Sequence, residues 1–122
     1  MNKPLVYIAS PYTQGQVDLN VHFQLKTFNR LMRDDLCIPV APLWAHFQHL
    51  AFPLSYERWI EYSLAIAERC DICLRLAAEV GDSYYQYESA GADKEVQLFL
   101  TQHKPVCFSV RDLYFSLRSM QS

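Results

Sequence analysis

The chain has 122 residues, 51% of them hydrophobic and 14% aromatic, enough to bury the core of one compact domain over residues 1–122. The formal net charge is −2, so the composition does not indicate the excess of basic residues that binding to a nucleic-acid polymer or an anionic membrane would require. The first apolar run is about six residues long and ends at Pro11, too short for a secretion signal or a membrane span, so we expect a soluble, cytoplasmic protein.

The predicted elements alternate between strands and helices. A continuous β-rich run predicts a buried strand over 5–9, and apolar residues at helical spacing predict a helix from Asp18 to about Arg33. Further strands are predicted over 37–40, 72–77 and 105–110, and further helices are predicted with Pro53 in the first turn, from near Ser89 and over 111–120. This order predicts a single-domain, doubly wound α/β fold of the Rossmann or flavodoxin-like type, with a mostly parallel sheet of about four to five strands flanked by helices.

Two predicted loops have an unusual composition. Residues 41–52 combine histidines with several aromatic residues, which is typical of a functional loop, and residues 79–88 are polar and rich in tyrosine, which indicates a loop or lid. Ligands of doubly wound sheets bind where the strands end, at the carboxyl edge. We therefore expect the first loop, the end of the first strand and the helix start near Ser89 to meet there.

Residues 89–95 concentrate reactive side chains at a predicted helix start. Ser89 and the first backbone N–H groups would cradle an anion, because those donors lack intrahelical partners. Glu95 would lean back over Gly91 and Ala92, whose small side chains leave room for a substrate atom to approach the carboxylate. The alternative is an ordinary solvated helix start.

Three other residues at this edge each have two interpretations. Tyr7 either packs in the core with its hydroxyl bonded to the backbone, or donates a hydrogen bond to Glu95 and orients it. Ser10 either binds a ligand oxygen or caps the turn that follows the first strand. His46 either stacks on a flat ring of a ligand or covers exposed core.

Two charged residues bound the third predicted strand. Asp71 falls at the amino end of the strand, the edge opposite the expected site, which predicts a structural role. Arg75 is unusual within a buried strand, so it lies either at the carboxyl edge of the sheet or in an ion pair.

The four cysteines lie in or beside apolar runs, where reduced, buried thiols are common: Cys37, Cys70, Cys73 and Cys107. A redox C-x-x-C pair normally opens a helix, whereas Cys70-Asp71-Ile72-Cys73 closes a helical pattern, which disfavours that function. A zinc site formed by Cys70 and Cys73 with His46 and His49 is an alternative.

Taken together, these residues resemble the nucleoside 2-deoxyribosyltransferase-like superfamily, which includes deoxynucleotide N-hydrolases and small uncharacterised relatives. The matching features span most of the chain and are Tyr7-Ile8-Ala9-Ser10-Pro11-Tyr12, Asn20, Pro42-Leu43-x-x-His46, Trp59, Cys70-Asp71 and Ser89-x-Gly91-x-x-x-Glu95. The resemblance implies cleavage or transfer at an N-glycosidic bond, with no cofactor. It implies that Glu95 is the nucleophile attacking the anomeric carbon and that Tyr7 steadies it. It further implies a substrate-binding set of Ser10, Tyr12, His46, Ser89 and Gly91.

Two positions refine this expectation. Family members that act on nucleosides tend to carry Asp six residues before the glutamate, and phosphate-binding hydrolases carry Ser, so Ser89 favours a nucleoside 5′-monophosphate over a nucleoside. Many members also carry an Asp where this chain has Ser63, which leaves a catalytically weak nucleotide-binding or sensing module as an alternative. Family members commonly form homo-oligomers, and the aromatic residues within 44–52 could form such a contact.

Overall fold

The centre of the fold is a parallel sheet with helices on both faces. A computed structural model of the protein describes residues 2–11, 17–76, 78–80, 83–85 and 90–120. In these ranges the strands are β1 (Leu5–Ala9), β2 (Ile38–Val40), β3 (Ile72–Arg75), β4 (Ala78–Val80), β5 (Ser83–Tyr85) and β6 (Val106–Cys107). The α-helices are α1 (Val17–Asp34), α2 (Ala45–Ala51), α3 (Tyr56–Ala67), α4 (Ala90–Thr101) and α5 (Val110–Met120), and a 3-10 helix covers Pro42–Trp44.

Among the described strands, four form the main sheet in the order β2-β1-β3-β6, and all neighbouring pairs are parallel. β1 lies inside the sheet, with Leu5 opposite Ile38 of β2 and Tyr7 opposite Cys73 of β3. This arrangement confirms the predicted doubly wound α/β fold. The strand order reverses between β1 and β3, which places the end of β1 at the position where such folds bind ligands.

The alternating side chains of the strands build two separate cores. On one face, Val6, Ile8, Ile72 and Leu74 pack with Leu31 of α1 and with Leu113 and Leu117 of α5. On the other face, Tyr7, Ala9 and Cys73 pack with Ala67 of α3 and with Ala92 and Phe99 of α4. Burial of each large apolar side chain stabilises the fold by about 1.5–3 kcal/mol. None of the helices in the described ranges has the length and apolar character needed to cross a bilayer.

The two segments predicted as loops contain regular structure. The aromatic segment 41–52 holds the 3-10 helix and α2, whose large residues Phe47 and Leu50 are exposed, so no buried stripe marks the helix in the sequence. At the second segment, β4 begins one residue before position 79 and forms an antiparallel pair with β5, in which Ala78 is opposite Tyr85. These strands are three residues long, too short for a clear alternating pattern.

Several element boundaries also differ from the prediction. α3 begins at Tyr56 rather than at Pro53, because the hydroxyl of Ser55 accepts a hydrogen bond from the backbone N–H of Arg58 (3.3 Å) and caps the helix there. β3 ends at Arg75, and β6 contains only Val106 and Cys107 before α5 begins at Val110.

Candidate functional site

The side chains of Tyr7 and Glu95 meet between the sheet and α4. The hydroxyl of Tyr7 on β1 donates a hydrogen bond to Oε2 of Glu95, although the two residues are 88 positions apart in the chain. Tyr7 is completely buried and Glu95 is only 7% exposed. Of the two interpretations of Tyr7, the structure supports the hydrogen bond to Glu95.

Burial changes the acidity of this carboxyl group. It raises the pKa of Glu95 from 4.5 to about 8, because the charged form loses hydration in the protein interior. The hydrogen bond from Tyr7 acts in the opposite direction by stabilising the carboxylate, but burial dominates. Glu95 therefore changes protonation close to neutral pH, a property that is common in functional sites and rare on a solvated helix.

The surroundings of the pair are apolar and hold both groups in place. The ring of Phe99, one helical turn after Glu95 on α4, lies 6.0 Å from the ring of Tyr7 at an interplanar angle of 42°. Cys73 and Ala92 belong to the same buried cluster. Since the phenol ring is packed on these groups, its hydroxyl is directed at Glu95 by the core itself.

Gly91 lies at the contact between α3 and α4. A β-carbon at this position would come within 3.2 Å of Cδ1 of Ile60 and 3.6 Å of the hydroxyl of Tyr56. The missing side chain thus lets the two helices approach closely, a packing role that the sequence did not indicate. Contact between Gly91 and a substrate stays a prediction.

A buried glutamine connects two segments of the same sheet edge. Nε2 of Gln24 donates to the carbonyl of Ile8 (3.0 Å) and to Oγ of Ser10 (2.9 Å), and its Oε1 accepts from the backbone N–H of Leu43 (2.8 Å). Gln24 is completely buried in α1. It therefore joins the residue after β1 to the 3-10 helix that follows β2.

Sequence reasoning missed Gln24, although a signal was present. The buried positions of α1 are Asn20, Val21, Gln24, Thr27 and Leu31, which recur at helical spacing. Because Asn20, Gln24 and Thr27 are polar, an apolar pattern does not reveal this stripe. A row of neutral polar residues at core positions is such a signal, since buried polar groups need fixed partners.

His46 and His49 both lie on α2 but have different surroundings. The His46 ring is half-buried and sits edge-on to the ring of Phe47, with 5.6 Å between centroids. Nδ1 of His49 accepts hydrogen bonds from the indole N–H of Trp59 (2.8 Å) and the backbone N–H of Leu54 (3.2 Å). His49 therefore connects α2 to α3 through its hydrogen bond with Trp59.

The zinc alternative has no support in the structure. Across the described ranges, no group of three or more His, Cys, Asp or Glu side chains could hold a metal ion, and all four residues named for the zinc site lie in those ranges. The cysteines are free and buried, and burial raises the pKa of Cys70 to about 11 and that of Cys73 to about 12. Such thiols are poor nucleophiles and poor redox groups.

The charged residues just before and at the end of β3 are placed as the sequence indicated. Oδ2 of Asp71 accepts the backbone N–H of Leu5 (2.8 Å) at the amino edge, which confirms a structural role. Arg75 is the last residue of β3 and also forms an ion pair, with 3.7 Å between Nη2 and an oxygen of Asp93 on α4. Both interpretations of Arg75 therefore hold.

Of the seven predicted site residues, the structure brings Tyr7 and Glu95 into direct contact. Ser10 lies just beyond β1 and is bound by Gln24, whereas Tyr12 and Ser89 lie outside the described residues. In comparisons with protein-family models, curated proteins and solved structures, no match to this chain is found.

Proposed function

We propose that the protein cleaves or transfers the N-glycosidic bond of a nucleoside 5′-monophosphate or a nucleoside, with Glu95 as the nucleophile. The observation that supports this proposal most directly is the buried hydrogen bond between Tyr7 and Glu95. A carboxyl group that is desolvated, oriented by a fixed phenol and placed near the carboxyl edge of a doubly wound sheet has the properties of a catalytic group.

In the proposed reaction, a carboxylate oxygen of Glu95 attacks C1′ of the sugar as the C1′–N bond breaks. The bonding electron pair leaves with the base, which acquires a proton, and the transition state has oxocarbenium character. Water or a second base then attacks C1′ of the glycosyl ester and releases Glu95. Tyr7 keeps the attacking oxygen in position and stabilises its negative charge.

Departure of the base requires a proton donor. Ser63 is half-buried on α3 and cannot supply an acidic proton. Many members of the family that this chain resembles have Asp at this position. We propose His46 on α2 or Glu61 on α3 as the donor, or departure of a base that needs no protonation. His46→Gln and Glu61→Gln, compared for the rate of base release, separate these routes.

A second candidate is a nucleotide-binding or sensing module with little turnover. Two observations favour it: Ser63 replaces an acid, and a pKa of about 8 keeps most of Glu95 protonated and non-nucleophilic near neutral pH. Such a module would be stabilised by a nucleotide through mass action without consuming it.

One experiment separates these candidates. The purified protein is incubated with a panel of ribo- and deoxyribonucleosides and their 5′-monophosphates, free base is measured by chromatography, and the melting temperature is recorded for each compound. The proposed reaction predicts base release that Glu95→Gln abolishes, with the exposed Glu57→Gln as the matched control. A thermal shift without base release supports the sensing module, and absence of both effects contradicts both candidates.

We also propose that the protein works in the cytoplasm as a homo-oligomer. Support for self-association comes from the exposed apolar residues of the segment around α2, namely Trp44, Phe47, Leu50 and Phe52, the last 70% exposed. Light scattering after size exclusion is expected to give a multiple of 14.2 kDa, and Phe52→Ser is expected to shift it toward the monomer. A monomeric wild-type protein would contradict the proposal.

A further inference from the structure

The hydrogen bonds of Gln24 determine which way its side-chain amide faces. A backbone N–H group can only donate a hydrogen bond, and a backbone carbonyl can only accept one. The N–H of Leu43 (2.8 Å) therefore requires the Oε1 end of the amide, and the carbonyl of Ile8 (3.0 Å) requires the Nε2 end. Because the backbone fixes both partners, the amide of this completely buried side chain has a single orientation.

This orientation also determines the role of the Ser10 hydroxyl. Nε2 of Gln24 lies 2.9 Å from Oγ of Ser10, and an amide nitrogen donates hydrogen bonds but does not accept them. Ser10 must therefore accept this bond through a lone pair, and its own proton points away from Gln24. Among the residues that the structure describes, this hydroxyl has no second hydrogen-bond partner. The hydroxyl is thus set as a donor to a further group.

Ser10 lies at the edge where ligands of such sheets bind. The backbone N–H of Leu76 donates to the carbonyl of Ala9 (2.8 Å), and Ser10 is the next residue of the chain. Ser10 is half-buried, so its hydroxyl is accessible to a bound molecule. The strand order reverses between β1 and β3, which places Ser10 at the point where doubly wound folds bind ligands.

Ser10 and the Tyr7–Glu95 pair lie on opposite sides of the end of β1. Ser10 is bound by Gln24 of α1, and α1 packs on one face of the sheet. Tyr7 and Glu95 lie between the other face and α4. Positions 7 and 10 are three residues apart, about 10 Å along a strand, a separation that a nucleotide can span. A ligand that crosses the end of β1 can therefore contact both sides.

From these relationships we infer that Gln24 is a positioning residue, which holds Ser10 as a hydrogen-bond donor to an oxygen of the ligand. This inference rests on the proposed function for the class of ligand. It adds that the ligand presents an acceptor at Ser10, and the strong acceptors of a nucleotide are its phosphate oxygens and the keto oxygens of its base. A hydroxyl that is already oriented loses less conformational entropy when the ligand binds.

The first test replaces the donor itself. Isothermal titration measures binding of the adenine, hypoxanthine and uracil nucleosides and their 5′-monophosphates to the full chain. Ser10→Ala should bind about 2- to 10-fold more weakly if the acceptor is a keto oxygen, and about 10-fold or more weakly if it is a charged phosphate oxygen. A keto acceptor predicts this loss for the hypoxanthine and uracil compounds with or without phosphate, and a phosphate acceptor predicts it for the monophosphates alone. Ser10→Thr keeps the hydroxyl and should stay within about two-fold of wild type.

A double-mutant cycle tests whether Gln24 acts through Ser10. Gln24→Met has a similar size but no amide, so the Ser10 hydroxyl is free to turn toward other acceptors such as the carbonyl of Ile8. This substitution should weaken binding about two- to five-fold in the wild-type chain and have no further effect in Ser10→Ala. Gln97→Met, at an exposed position of α4, is the matched control and should leave the affinity unchanged.

Kinetics provide a readout that a merely structural role would not give. The contact with Ser10 is present in the ground state and the transition state alike, so Ser10→Ala and Gln24→Met should raise KM and leave kcat within about two-fold. If Gln24 only stabilised the fold, Gln24→Met would lower the melting temperature and either leave the affinity unchanged or reduce it equally with and without the Ser10 hydroxyl.

Three results would overturn the inference. They are unchanged affinity of Ser10→Ala for every compound, an equal effect of Gln24→Met in both backgrounds, and no binding of any compound. Should Gln24→Met fail to fold, Gln24→Asn, whose shorter amide cannot reach all three partners, gives the same cycle. Binding with the expected variant effects but no base release would reject the proposed reaction and retain the role of Gln24. Base release with a KM that Ser10→Ala leaves unchanged would reject that role and retain the reaction.

Discussion

The hydroxyl of Tyr7 on β1 donates a hydrogen bond to Glu95 on α4, and this bond joins the centre of the sheet to the helix that covers it. Both partners are buried, so the contact has two consequences. It orients one carboxylate oxygen, and it places a group with a pKa of about 8 inside the fold.

Removal of the phenol hydroxyl should slow the proposed reaction without unfolding the protein. Tyr7→Phe keeps the ring that packs on Phe99 but deletes the donor to Glu95. Loss of a hydrogen bond to a charged group corresponds to about 1.5–3 kcal/mol, or roughly a 10- to 150-fold lower kcat. Steady-state kinetics measures this change, and Tyr62→Phe on the exposed face of α3 is the matched control. An unchanged kcat for Tyr7→Phe would show that the hydroxyl has no catalytic role.

The pH dependence of the reaction should follow Glu95. The nucleophile must be ionised, and burial raises its pKa to about 8, so kcat/KM should rise with pH and level off above about 8. Tyr7→Phe should move this limb to higher pH, because the carboxylate loses its donor. A pH profile for wild type and variant measures both effects. A rate that falls as pH rises through this range would instead assign Glu95 the role of proton donor.

Glu95 should also make the stability depend on pH. Its folded pKa of about 8 is above the ordinary 4.5, so the folded chain binds this proton more tightly than the unfolded chain does. Between these two values unfolding releases a proton, and the free energy of unfolding should therefore fall as pH rises from 4.5 to about 8. Urea unfolding at about pH 5 and about pH 9 should show a smaller decline for Glu95→Gln than for wild type. Equal declines would mean that Glu95 is solvated.

Gln24 should stabilise the protein by connecting Ser10 to Leu43 at the carboxyl edge of the sheet. Gln24→Ala leaves the backbone N–H of Leu43 without its side-chain acceptor and Ser10 without its donor. Both hydrogen bonds are part-buried, so water replaces some of the lost bonding, and we expect a loss of about 1–3 kcal/mol in the free energy of unfolding. Chemical denaturation measures it, with the exposed Gln97→Ala on α4 as control. A loss no larger than that of the control would contradict the connecting role of Gln24.

The contact of α3 with α4 should tolerate one extra carbon at Gly91 but not a branched side chain. Gly91→Ala brings a methyl group to 3.2 Å from Cδ1 of Ile60, a close contact that a small shift of this side chain relieves. The gain in helix propensity of about 1 kcal/mol offsets the crowding, so the net change in the free energy of unfolding should be small. Gly91→Val should destabilise by about 1–3 kcal/mol through overpacking. If both substitutions are neutral in thermal unfolding, the helices do not pack as closely as described.

The strands and helices of the sheet were predictable because the sequence patterns that indicate them involve only residues close together in the chain. The buried run over 5–9 and the helical spacing over 18–33 depend only on neighbouring residues, and both elements form within one or two residues of the predicted ends. Segments whose apolar residues face solvent gave no such signal. For this reason α2, with Phe47 and Leu50 exposed, was predicted as a loop.

The amino-acid sequence by itself determined the alternation of strands and helices and placed Tyr7 and Glu95 on elements that can meet at one edge of the sheet. Only the tertiary structure decided that they touch, that Gln24 is buried with its partners, and that Arg75 is withdrawn from water beside Asp93. The physical reason is that hydrogen bonding, desolvation and the resulting pKa depend on atoms brought together from distant parts of the chain. Local patterns contain no information about those neighbours.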